Sequence, residues 1–214
     1  MTDLSRSADK KAVNERIAAL VHQIRALEEE LEMELARRRI DLGLIVRDRS
    51  IRFEQVVIAR HKLIRTRLAG YVLAATPLML RTAPAIYALS APLLLLDAFL
   101  YCYQAVCFPV YGVPKVRRAD YFVFDRAHLA YLNAIERINC AYCSYANGLI
   151  GYAREIASRT EQYWCPIKHA RGIISAHARY TSFVDYGDAE AYHHEFAVLR
   201  RQLQKPPGRT EAAP

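Results

Sequence analysis

The chain has few of the features that mark a secreted or a catalytic protein. It contains 8 glycines, one tryptophan and five cysteines. An odd cysteine count argues against a disulfide scaffold and favours a reducing compartment. The sequence has no glycine-rich phosphate loop, no Gly-x-Ser-x-Gly motif and no recognisable Ser/His/Asp order. Because no apolar segment follows Met1, we expect no secretory signal peptide. The sequence therefore indicates no catalytic residue.

What the chain does have is positive charge beside a long apolar stretch. Its formal net charge is +8, with 53% hydrophobic and 24% charged residues. Such a charge favours anionic partners, either lipid headgroups or nucleic acid. The sequence lacks RRM, KH and zinc-finger signatures, and its basic residues cluster next to the apolar stretch. We therefore expect a lipid bilayer as partner and no nucleic acid.

Residues 10–39 have the pattern of one long helix. Their apolar residues recur at steps of three and four and form a heptad seam: Ile17, Leu20, Ile24, Leu27 and Leu31. Glu34 interrupts this seam. Two interpretations remain, a short coiled coil that dimerises the protein through residues 10–39, and an amphipathic helix packed on its own domain.

Residues 40–67 are predicted to form a second helix that is rich in arginine. Its last part, residues 60–67, is strongly basic and meets the apolar stretch at Leu68. Basic residues accumulate where a chain enters a bilayer from the cytoplasm. Residues 1–67 are accordingly interpreted as a helical arm with a basic end next to the membrane.

Residues 68–113 carry only two charged side chains, Arg81 and Asp97. The stretch is too long for one ordinary span, which needs about 20 residues. It predicts a helical hairpin with arms at 68–80 and 85–110 and a turn at 81–84. Basic residues flank both sides, which places both termini in the cytoplasm. The hairpin either crosses the bilayer or is re-entrant.

Asp97 lies in the middle of the second predicted arm. A carboxylate in hydrocarbon is costly and by default suggests a function. The simpler interpretations are that it is protonated or faces a tyrosine or serine of the partner helix in the hairpin. We do not assign it a catalytic role.

The most specific pattern is a pair of cysteines followed by a cysteine and a histidine. Cys140 and Cys143 form a Cys-x-x-Cys motif, and Cys165 and His169 form a Cys-x-x-x-His motif. The pattern predicts one helix carrying the first pair, a return loop, and a second helix opened by Pro166. Two helices with two ligands each could close a tetrahedral site, and these ligand types are typical of zinc. Cys140, Cys143, Cys165 and His169 are therefore the predicted metal ligands.

Other interpretations of the same residues remain open. Thiolate-rich sites also accept iron or an iron–sulfur cluster. Cys140 and Cys143 could form a reversible dithiol, and all three cysteines could simply be buried beside a surface histidine. Glu136, Glu155 and Glu161 surround the motif in sequence, either as partners of the metal ligands or as members of surface ion pairs.

The sequence around these cysteines resembles that of a family of bacterial inner-membrane proteins. The resemblance rests on Asn139-Cys-x-Tyr-Cys143-Ser-Tyr-Ala-Asn-Gly148 and on Arg159-Thr-Glu-Gln-Tyr-Trp-Cys165-Pro-Ile-Lys-His-Ala170. It covers about a quarter of the chain, from Asp125 to Ala170, and implies a bacterial inner-membrane setting without any particular activity.

The sequence as a whole predicts an all-α protein. Its parts are a helical arm (1–67), a membrane hairpin (68–113), a cytoplasmic helical Cys/His domain (114–204) and a disordered tail (205–214). The expected function is that of a membrane-anchored, zinc-binding scaffold with an unknown protein partner. The alternative is a redox or metal-handling enzyme that uses the three thiols.

Overall fold

The structure is a computed structural model that describes residues 2–41, 44–47, 50–53 and 55–204. It is mostly helical, which agrees with the predicted all-α class. The chain divides into two compact units, Met1–Arg65 and Thr66–Pro214. The predicted tail, residues 205–214, lies outside the described residues.

The first unit contains two helices and a short hairpin. Helix α1 runs from Thr2 to Asp41, strands β1 (Leu44–Arg47) and β2 (Ser50–Phe53) follow, and helix α2 covers Gln55–Leu63. Acidic residues in the middle of α1 precede the basic residues of its last turn, which include Arg38 and Arg39. This order is favourable for the helix dipole.

The hairpin corrects the sequence prediction of a continuous second helix over residues 40–67. Strands β1 and β2 pair antiparallel, with Leu44 opposite Phe53 and Val46 opposite Ile51. β-Branched residues at positions 45, 46 and 51 favour extended backbone. The prediction of a helix over residues 40–67 followed the basic residues and overlooked these two short runs.

Over its described residues, 66–204, the second unit contains five helices and three short 3-10 turns. The helices are α3 (Leu68–Ala74), α4 (Pro77–Ala88), α5 (Ser90–Tyr111), α6 (Ala134–Trp164) and α7 (Ala189–Gln204). The 3-10 turns cover Arg118–Asp120, Asp125–His128 and Ala178–Ser182. Helix α6 packs against both α5 and α7.

The apolar stretch does not fold as the predicted hairpin. The expected turn, residues 81–84, lies inside α4, and Pro84 is accommodated within that helix. The chain is instead interrupted at Ala75 and Thr76, before Pro77 begins α4. Proline suits the first position of a helix because the backbone N–H it lacks would have no helical acceptor there. Only Leu89 separates α4 from α5, so the two helices follow each other closely.

Two residues define where the long helices end and begin. Gly112 ends α5 in the left-handed conformation, with φ of 65°, and its N–H reaches the carbonyl of Pro109. This is a common helix ending, since glycine adopts positive φ without a Cβ clash. Asn133 caps α6 in a capping box with Glu136, where each side chain accepts the other's backbone N–H.

Helix α6 is one continuous element, although it contains Asn147-Gly148, a pair typical of turns. Gly148 allows close packing there, because a Cβ at this position would lie 2.7 Å from the carbonyl oxygen of Tyr121. The absence of a side chain at Gly148 therefore lets the segment that contains Tyr121 pack directly against α6. The buried core around it contains Phe108, Val113, Val116, Leu149, Tyr152, Ile156 and Leu203.

Candidate functional site: the inner and outer faces of helix α5

The four predicted metal ligands are not brought together. Cys140 and Cys143 lie near the start of α6, while Cys165 directly follows its last residue, Trp164. Because α6 is one helix, the 22 positions from Cys143 to Cys165 correspond to about 33 Å. A single ion cannot contact both sulfurs at that separation. Among the described residues, no group of three or more His, Cys, Asp or Glu side chains is placed to hold a metal ion.

The predicted return loop and second ligand-bearing helix are also absent. Pro166 is buried and is followed by an isolated bridge between Ile167 and Val184, so no helix begins there. The backbone N–H of His169 donates to the hydroxyl of Tyr180 at 2.6 Å, and the two rings stack. The sequence could not show this, because the Cys-x-x-x-His spacing fits both a helix and an extended segment.

The glutamates near the cysteines have structural partners. Glu136 forms the capping box, and Glu161 lies 2.9 Å from the ring of His177. Glu155 accepts hydrogen bonds from Arg159 at 2.8 Å and from Arg179 at 2.9 Å. Burial would raise the pKa of Glu155, but the hydrogen bonds and charges of the two arginines outweigh burial and hold that pKa below its ordinary value.

Asp97 is the centre of a polar cluster between α5 and α6. Arg118 donates to both of its carboxylate oxygens, and Tyr145 donates its hydroxyl to Oδ2 at 2.9 Å. The Arg118 guanidinium also lies over the ring of Phe122, 4.0 Å from its centroid. The sequence interpretation placed such a tyrosine on the other arm of the hairpin, whereas Tyr145 belongs to α6. Arg118 was assigned only to the basic flank of the membrane segment, and its pairing was missed.

A second polar connection lies further along the same two helices. The buried side chain of Gln104 accepts the N–H of Val116 and donates to the hydroxyl of Tyr152 at 2.9 Å. Tyr103 and Thr160 share a hydrogen bond of 3.1 Å. Beyond them, Tyr111 packs its ring against Tyr163 and Trp164.

These contacts show that α4–α5 and α6 run side by side in the same direction. Tyr87, before α5, bonds Asn139 near the start of α6, and Tyr111 at the end of α5 meets Trp164 at the end of α6. The 24 positions from 87 to 111 and the 25 from 139 to 164 each correspond to about 36–38 Å of helix. The inner face of α5, which includes the buried side chains of Gln104 and Phe108, lies against α6.

The opposite side of α5 is apolar and exposed, and we call it the outer face. It consists of Leu95, Phe99, Cys102 and Val106, which recur at steps of three and four and so share one side of the helix. Leu95, Phe99 and Val106 are 60%, 67% and 66% exposed. The described residues contain one helical stretch, Leu80–Tyr111, that is long and apolar enough to cross a membrane.

The basic flank after α5 is partly neutralised by ion pairs. Arg117 pairs with Asp120 at 2.9 Å, while Arg118 pairs with Asp97. On the other side of the apolar stretch, Arg65 and Arg67 are exposed.

Comparisons with family models, with curated proteins and with solved structures found no match to this chain.

Proposed function

We propose that this chain is a membrane-surface protein whose α5 helix lies in one leaflet of a bilayer, with its outer face in the lipid. In this arrangement the rest of the second unit stands on the membrane and acts as a scaffold for other molecules. The observation that carries the proposal is the contrast between the two faces of α5. One face is bonded to a polar helix, and the other exposes large apolar side chains.

The polarity of α6 favours a surface arrangement over a crossing one. Helix α6 contains six charged residues: Glu136, Arg137, Arg154, Glu155, Arg159 and Glu161. If α5 crossed the hydrocarbon core, which is about 30 Å thick, α6 would be carried through beside it. Charged side chains at that depth are costly. A helix lying in the interface keeps α6 in water and buries only the outer face.

The charge of the chain and the position of its termini fit the same proposal. A net charge of +8 favours binding to anionic lipid headgroups. A helix that does not cross the bilayer leaves residues before and after it on the same side. The predicted placement of both termini in the cytoplasm, at a bacterial inner membrane, therefore remains part of the proposal.

Metal binding is not part of the proposed function. The zinc and iron interpretations needed Cys165 near Cys140 and Cys143, and these residues are separated by most of α6. A dithiol of Cys140 and Cys143 does not involve Cys165, and no contact of these two residues gives it a place in the proposal.

Vesicle flotation with the full chain tests lipid binding. Vesicles of phosphatidylcholine mixed with phosphatidylglycerol should carry the wild-type chain upward in a density gradient. Phe99→Asp should reduce the constant for partition into the vesicles by about tenfold or more, since burial of a phenylalanine contributes about 1.5–3 kcal/mol. Ile174→Asp is the matched control, because Ile174 is fully exposed in the segment after α6. It should leave flotation unchanged. Equal flotation of wild type and Phe99→Asp would overturn the proposal.

The native cysteines distinguish a surface helix from a crossing one. Cys102 lies on the outer face of α5, and Cys143 and Cys165 are exposed on and just after α6. A membrane-impermeant maleimide, with the labelled positions identified by mass spectrometry, should modify Cys143 and Cys165 but not Cys102 in vesicles. In the same chain without vesicles, the maleimide should also modify Cys102. Protection of Cys143 together with Cys102 would show that α6 is also in the hydrocarbon, and would overturn the surface arrangement.

A further inference from the structure

The seam predicted on α1 is exposed along its length. Ile17, Leu20, Ile24, Leu27 and Leu31 are 45–64% exposed in the single chain. Single exposed apolar residues are ordinary on protein surfaces, but five on one stripe of a helix mark an interaction surface. The repeat of seven residues matches a coiled-coil seam, which is buried by a second helix.

We propose that two copies of this chain pair through α1 as an antiparallel coiled coil. In heptad notation, Ile17, Ile24 and Leu31 occupy a positions, and Leu20 and Leu27 occupy d positions. Continued along α1, the same register places Glu34 at d and Arg38 at a. A parallel pair in register would place each of these charged residues opposite its own copy inside the seam. Such like-charge layers are destabilising, so they disfavour the parallel pair.

An antiparallel register places neither Glu34 nor Arg38 opposite its own copy, and it adds ion pairs beside the seam. With a positions opposite d positions, Ile17 meets the partner's Leu27, and Leu20 meets the partner's Ile24. The flanking g positions then bring Arg16 opposite the partner's Glu30, and symmetry repeats this pair on the other side. In the parallel pair, Arg16 would instead flank the partner's Val21, and Glu30 would flank the partner's Leu35. The charge pattern of α1 therefore favours the antiparallel partner.

Disulfide trapping between two chains of different size tests the orientation. One chain carries Leu20→Cys and a short tag, and the other carries Ile24→Cys and a long tag. Both are full-length, with the native cysteines replaced by serine. After co-expression and mild oxidation, the antiparallel register predicts a cross-linked product of intermediate size that contains one chain of each kind. Products joining two copies of the same variant would overturn the antiparallel orientation.

Charge reversal and self-association test the surface itself. Arg16→Glu should weaken dimerisation measured by sedimentation of the full chain in detergent, and Arg16→Glu combined with Glu30→Arg should restore it. Ile24→Asp should give a monomer, while Phe99→Asp, on α5, should leave the dimer intact. A monomeric wild-type chain, or a dimer that survives Ile24→Asp, would overturn the pairing. Neither result depends on lipid binding, so the two proposals fail separately.

Discussion

Arg118 donates two hydrogen bonds to the carboxylate of Asp97, which lies 21 residues earlier in the chain. The pair joins the segment after α5 back to the middle of that helix. Tyr145 of α6 donates to the same carboxylate, so one aspartate connects three parts of the second unit. The cluster explains why a charged residue is tolerated in an otherwise apolar helix.

Replacing Arg118 with Gln should lower the free energy of unfolding by about 1–2 kcal/mol, because the carboxylate of Asp97 would lose its charged partner. The side chain of Arg118 is 46% exposed, which keeps the loss at the lower end of the range. Denaturant unfolding in mild detergent measures the change. In a double-mutant cycle with Asp97→Asn, the two effects should be less than additive, and full additivity would show that the pair contributes nothing.

Replacing Gly148 with Ala should lower the free energy of unfolding by about 1–3 kcal/mol, because the added Cβ overlaps a backbone oxygen that cannot move independently. The helix propensity of alanine opposes this loss by about 1 kcal/mol. Gly172→Ala is the matched control, since nothing lies within 4 Å of its added Cβ. Thermal unfolding of both variants checks the prediction, and a Gly148→Ala variant as stable as the wild type would contradict the close approach of Tyr121.

The stability of the second unit should fall in acid through Glu155. The folded-state pKa of this group is held below its ordinary value of 4.5. Its contribution is therefore fully present above pH 4.5 and is lost as the pH falls through the lower, folded-state pKa. Melting temperatures of wild type and Glu155→Gln, measured across this range, should converge toward low pH. A constant difference between them would exclude Glu155 as the source.

Chelation of divalent metals should leave the melting temperature unchanged, because Cys143 and Cys165 are about 33 Å apart along α6. Thermal unfolding before and after treatment with EDTA measures this directly. A second test uses the variant Cys165→Ser, which should have the same metal content as the wild type by elemental analysis. A large drop in melting temperature on chelation would instead support the four-ligand site predicted from the sequence.

Several parts of the fold could be predicted because they depend on local patterns. The seam of α1 and the apolar stretch that includes α5 follow from residue spacing and composition, and both are helical in the structure. The β-hairpin at residues 44–53 was missed, since runs of four residues carry little periodicity. The turn predicted at 81–84 was wrong because Pro84 is compatible with the helical backbone of α4.

Motif spacing was a poor guide to the candidate site. The Cys-x-x-Cys and Cys-x-x-x-His pairs could meet only if the chain turned back between residues 144 and 164. That segment instead continues α6 to Trp164, where Leu149, Tyr152 and Ile156 pack into the core of the second unit. A conventional metal-ligand pattern is thus distributed over both ends of one rigid element.

The composition of residues 80–111 was enough to predict a helix that is long and apolar enough to cross a membrane, because hydrophobicity is a property of the residues themselves. Which side of that helix is available to lipid depended on long-range packing. The bonds from Asp97 and Gln104 to residues between 116 and 152 select the inner face and leave the outer face exposed. No local pattern specifies such bonds, since their partners come together only when α6 folds alongside α5.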